Sequence, residues 1–78
     1  MKTIAKINSN DQENEETIFI LVDKEFNVSA SNGDEVSYGE SPRSASKAFE
    51  LAYALWGQWN TFQWLAEYDE ETNKITEM

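Results

Sequence analysis

"LWGQWNTFQWLAEYDE", residues 55–70, holds all three tryptophans of the chain together with Phe62, Tyr68 and the carboxylates of Glu67, Asp69 and Glu70. Two periods compete for its second half. Read as a strand, residues 61–69 put Phe62, Trp64, Ala66 and Tyr68 on one side and Thr61, Gln63, Leu65 and Glu67 on the other. Read as a helix, Asn60 would be the N-cap and Gln63 the N3 residue of a capping box. The period-2 face gathers the aromatics more cleanly, so residues 61–69 are expected to be extended. "DEETNK", residues 69–74, then reads as a hairpin turn in which Asn73 suits a left-handed position. "KITEM", residues 74–78, returns as an edge strand.

Upstream of the tryptophans the period changes to 3.6. Ala45, Ala48, Phe49, Ala52, Leu55 and Trp56 form an apolar stripe, and Arg43, Ser46, Lys47 and Glu50 lie opposite. Ser41 suits an N-cap, Pro42 suits the first helical position, and Gly57 stands where a terminating glycine belongs. A helix over about residues 42–56 follows, with alanines small enough to let its backbone approach a sheet.

The first half reads as β. "KTIAKIN", residues 2–8, alternates loosely, while "TIFILV", residues 17–22, is apolar throughout, as for a strand buried on both faces or nearly so. Phe26, Val28 and Ala30 then alternate with Asn27, Ser29 and Ser31, and "EVSY", residues 35–38, reads as a short return after the hairpin signal Asn32-Gly33. The polar stretch "NSNDQENEE", residues 8–16, reads as a mobile loop. The expected fold class is α+β, an antiparallel sheet in β-β-β-α-β-β order with the helix packed on one face.

Seventy-eight residues make a single domain, 1–78, with a thin core. There is no cysteine, so aromatic burial must do what disulfides do in other small domains. The N-terminal residues have no apolar run of signal-peptide kind, and the longest such run, residues 18–22, is far too short to span a bilayer. The Asn27-Val28-Ser29 sequon has no secretory context, and a cytoplasmic location is expected.

Fifteen acidic residues against six basic ones give a net charge of −9. That balance opposes direct contact with nucleic-acid phosphates or an anionic membrane, and it suits either a basic partner or mere solubility. The acids cluster. Asp11, Glu13, Glu15 and Glu16 fall in the first connection, and a simple meander brings Asp34 and Glu35 to the same end. Asp23 and Glu25 flank Lys24 at the other end, and Asp69, Glu70 and Glu71 form a third group. A concentrated anionic rim of this kind would compete with phosphates for a Lys/Arg groove.

Catalytic signatures are missing. The chain has no histidine and no cysteine, and its glycines, 33, 39 and 57, are isolated. The acids sit in turns on a chain too small to wall a deep cleft, so a carboxylate-pair hydrolase is not expected. Residues 8–16 alternate oxygen-bearing side chains but lack the glycine and ligand spacing of an EF-hand loop. The expectation is a protein that is not an enzyme, with no cofactor and no metal.

Overall size, acidity, a sheet followed by an amphipathic helix and the lack of catalytic residues together resemble the small acidic proteins of phages and mobile elements. Anti-CRISPR proteins that block type I surveillance complexes are the nearest in kind. The resemblance carries over no individual residue. It implies steric blockade of target-DNA binding in the host cytoplasm, by occupying the basic surface of a protein or ribonucleoprotein complex. The alternative is a structural or regulatory interaction module, a monomer or a homodimer, using an edge strand at residues 2–8 or 74–78. Single-strand binding through stacked Trp59, Phe62 and Trp64 lacks the basic groove it would need. Trp59 matches neither period and is expected to be exposed. A functional part of the cluster is therefore expected in Trp59 and in the acids of residues 67–71, supported by the rings at 56, 62 and 64.

Overall fold

In the computed structural model, residues 1–8, 16–31 and 44–78 are described. Most of the expected first loop, the Asn32-Gly33 hairpin, residues 35–38 and the Ser41-Pro42 helix start lie outside them. The chain is α+β: β1 (Lys2–Asn8), β2 (Thr17–Val22), β3 (Val28–Ala30), α1 (Ala45–Trp56), β4 (Gln63–Trp64), β5 (Ala66–Asp69) and β6 (Lys74–Glu77). The strands form a four-stranded antiparallel sheet in the order β3-β2-β1-β4 and a two-stranded one of β5 and β6.

The expected tail strand is present, in two pieces parted at Leu65. Its break has a simple cause. The Leu65 N–H donates to Ile4 O at 2.8 Å, and Leu65 O accepts from Met78 N–H at 2.9 Å. Leu65 is thus the junction at which the chain stops pairing with β1 and starts pairing with β6. Both sheets share one apolar cluster, from Ile4, Ile7, Ile20 and Val28 through Ala48 and Phe49 to Ala66 and Ile75.

β2 departs from the expectation of burial on both faces. Ile18, Ile20 and Val22 are buried, while Phe19 is 40% exposed. β1 is the more covered strand. A register shift between Thr3 and Ala5 interrupts its strict alternation, and Ile4 and Ala5 are both fully buried.

β2 turns into β3 through residues 23–27. The Asp23 carboxylate accepts from the Glu25 N–H (2.8 Å), the Asn27 N–H (2.9 Å) and the Asn27 side-chain amide (3.1 Å). The same turn holds Phe26 at φ 65°, unusual for a bulky side chain, with its ring against the core. Hydrogen bonding and packing of this kind offset a backbone strain of about 1 kcal/mol or more.

The helix starts three residues later than expected. Ser44, not Ser41, is the N-cap, its Oγ accepting from the Lys47 N–H at 3.3 Å. Ala45, Ala48 and Ala52 are fully buried, and the helix lies against β3 and β5. Leu55, assigned to the apolar stripe by spacing, is 44% exposed. Gly57 ends the helix without a left-handed backbone: its φ is −63° and its N–H donates to Tyr53 O at 2.8 Å. Glycine is required there for room. A Cβ would meet the Tyr53 carbonyl oxygen and lie 2.6 Å from its ring.

Candidate functional site

Phe49 and Tyr53 are one helical turn apart on α1, so both rings leave the helix on the same side. Trp64 arrives from β4 and lies nearly parallel to both. Its ring centroid is 4.9 Å from that of Phe49 and 6.4 Å from that of Tyr53, each at 14° between planes. Phe62 stands edge-on to Trp64 (4.8 Å, 89°) and to Tyr53 (6.0 Å, 88°). Tyr68, two residues beyond Ala66 on the same strand face, tilts onto Phe49 at 4.6 Å. Each such pair adds about 0.5–1.5 kcal/mol beyond its area burial.

The resulting wall is not sealed. Phe49 is buried, but Tyr53 is 59% exposed, and Trp64 is half-buried. Between α1 and β5 an open groove of about 600 Å³ is left, lined by Phe49, Tyr53, Trp64, Tyr68, Ala54 and Met78 with Glu50 and Glu67 among them. That volume lies in the range of small-ligand sites. Glu50 sits one residue past Phe49 on the helix and lines the groove with its exposed side chain, whereas Glu67, between Ala66 and Tyr68, borders the groove from the strand position that faces away from both. Lys47 Nζ lies 3.4 Å from Glu50 Oε2, with both side chains mostly in water. Such an exposed pair contributes about 0–1 kcal/mol and is readily exchanged for another cation.

No known family matches this chain. Comparison with curated proteins and with solved structures likewise returns no match.

Of the residues singled out in sequence, Asp11, Glu13, Glu15, Asp34 and Glu35 lie outside the described residues. Glu16 is exposed immediately before β2. Trp59 is exposed, as its position between the two periods suggested, in the turn that leads from α1 to β4. These two belong to the same end of the sheet, because Asn8 N–H donates to Thr61 Oγ1 (2.8 Å) and Thr17 Oγ1 to Asn8 Oδ1 (3.3 Å). Asp69, Glu70 and Glu71 are exposed around the β5–β6 turn at the opposite end, where Asp69 faces Lys74 in register. There Lys2, Lys24 and Lys74 line a second hollow of about 390 Å³ beside Asp23 and Phe26. Among the described residues the candidate acids are therefore split between two ends, Glu16 at one and Asp69, Glu70 and Glu71 at the other.

At this end the Asp23 carboxyl is held below its ordinary value of 3.8. The Asn27 N–H is the main cause. Slight burial opposes it, and the Asn27 amide and the Glu25 N–H reinforce it. Among the described residues no helix is long and apolar enough to cross a membrane.

Of the groove's lining, the sequence points to Glu67 among the acids of residues 67–71 and to Trp64 as a supporting ring, places Phe49 and Tyr68 on core faces, and gives no role to Tyr53 or Glu50 in a site. The available signal is the Phe49-Glu50…Tyr53 spacing, which places two rings and an acid within about one turn of the helix.

Proposed function

We propose that this chain is a non-catalytic binding protein for a basic protein surface. The observation that carries the reading is the open aromatic groove between α1 and β5 with Glu50 and Glu67 among its lining residues. A net charge of −9 adds long-range attraction for such a partner and speeds encounter at low salt. In the form the anti-CRISPR resemblance implies, the partner is a nucleic-acid-binding complex, possessing a Lys/Arg surface that this chain occupies in place of phosphates, and target-DNA binding is blocked sterically.

The test is capture of the complex from its native host, followed by affinity measured against salt and against target DNA. The expected result is binding that weakens steeply with salt, competes with DNA and falls on charge reversal at Glu13, Glu15 and Asp34. Binding indifferent to salt and to those reversals defeats the phosphate-mimicking form. The β6 strand favours a second reading, since it pairs only with β5 among the described residues and offers an edge for self-association. Sedimentation showing a dimer at micromolar concentration would support that module instead.

A further inference from the structure

The acidic groove has a geometry more selective than charge alone. Its wall is aromatic, with the Trp64 ring stacked at 14° against both the buried Phe49 and the exposed Tyr53, and Glu50 lies among its lining residues on the same helix. A flat π surface attracts a cation over its face, and a planar guanidinium stacks on it better than a compact ammonium. The same guanidinium presents a fork of N–H donors to a carboxylate lying beside the ring. Tyr53 and Tyr68 are both exposed, so the surface is open to a ligand in the folded chain. The Lys47–Glu50 pair shows that a cation already sits at the rim, held only by an exposed contact of 3.4 Å.

We infer that the groove is an arginine-binding site: an arginine side chain of the partner protein lies over the exposed Tyr53 ring, with its guanidinium bonded to Glu50. The groove is larger than one side chain and has room for the neighbouring residues of the segment that carries it. The inference rests on the reading of the chain as a binder of basic surfaces, and it names what that surface must present.

The test uses the full chain and a blocked tripeptide, acetyl-Gly-Arg-Gly-amide, followed by NMR at the indole N–H of Trp64 and the ring of Tyr53. The citrulline peptide serves as an uncharged isostere. The arginine peptide is expected to shift both signals in the millimolar range, and the citrulline peptide to bind about tenfold more weakly. Glu50→Gln changes only an exposed side chain and is expected to weaken arginine binding by about fivefold or more. Equal binding of the two peptides, or shifts confined to residues 69–71, overturns the site. So do concentration-dependent Trp64 shifts without peptide, because a second copy would then fill the groove. A captured partner released by salt but indifferent to Glu50→Gln overturns the arginine site and leaves the proposed function standing. Arginine selectivity in the groove of a chain that captures no basic partner does the reverse.

Discussion

The side-chain oxygen of Asn73 accepts a hydrogen bond of 2.6 Å from the backbone N–H of Ala45, 28 residues earlier in the chain. One residue in the β5–β6 turn thereby satisfies the first free donor of α1. The same residue has φ 57°, the left-handed position that closes the turn, and its N–H donates to Asp69 O at 2.8 Å. Helix start and hairpin tip are fixed to each other, which sets how α1 lies along β5 and hence the width of the aromatic groove.

Asn73 therefore has two separable roles, and substitutions divide them. Asn73→Gly keeps the left-handed backbone and loses the cap, so it should cost about 1 kcal/mol. Asn73→Ala loses both and should cost about 1 kcal/mol more. Asn73→Asp keeps an acceptor and adds negative charge at a helix N-terminus, and should be neutral or slightly stabilising. Urea unfolding of the three variants checks the order. Equal losses for Gly and Ala would mean that the cap alone matters.

That link also marks where sequence reasoning stops. Asn73 was legible as a left-handed turn residue because turn chemistry is local, and the helix and strand periods were legible because each repeats over many residues. The cap was not, because Ser41-Pro42 and Ser44 are equally good local starts. What favours Ser44 is a partner far away in sequence, Asn73, together with Ala45 being fully buried. The tail strand was visible, but its division at Leu65 depends on Ile4 O, and that is a tertiary fact. The groove was hidden for a related reason: hydrophobic periodicity tells which rings share a face, not which of them remain uncovered after packing.

Asp23 predicts an acid-side loss of stability at the β2–β3 turn. Its folded pKa lies below 3.8, so its contribution is complete above the unfolded value and disappears as pH falls through the lower folded one. Asp23→Asn should flatten that part of the stability–pH curve below about pH 4 while leaving the curve near neutrality lowered by a roughly constant amount. Asp23→Ala, which removes three accepted hydrogen bonds, should cost about 1–2 kcal/mol at pH 7. Thermal unfolding from pH 2.5 to 7 measures both.

Ala52 and Leu55 make a paired test of the helix register. Ala52 is fully buried, so Ala52→Leu must force the helix off the sheet and should cost about 1–3 kcal/mol. Spacing puts Leu55 in the same stripe, yet it is 44% exposed, and Leu55→Ala should cost about 1 kcal/mol or less, below the loss at Ala52→Leu. A large loss at Leu55 would show that its ring of neighbours closes over it in solution.

Gly57→Ala separates backbone freedom from space. At φ −63° an alanine is conformationally allowed, and on that ground alone it would stabilise by about 0.4–1 kcal/mol. The space argues the other way. The new methyl would meet the Tyr53 carbonyl oxygen and come 2.6 and 2.8 Å from two carbons of its ring. The exposed ring can swing aside, but the carbonyl is held by the Gly57 N–H, so the last helical turn must shift. The net effect should be a loss of about 1–2 kcal/mol. Tyr53 would also leave its edge-on contact with Phe62 and its place beside Trp64, so affinity for the arginine peptide should fall while the chain remains folded. In a Tyr53→Ala background the ring clash is gone, and Gly57→Ala should cost measurably less, a coupling that a double-mutant cycle in urea reads directly. Stabilisation by Gly57→Ala in the otherwise unaltered chain would show that Tyr53 does not hold this position in solution, and would remove one wall of the groove.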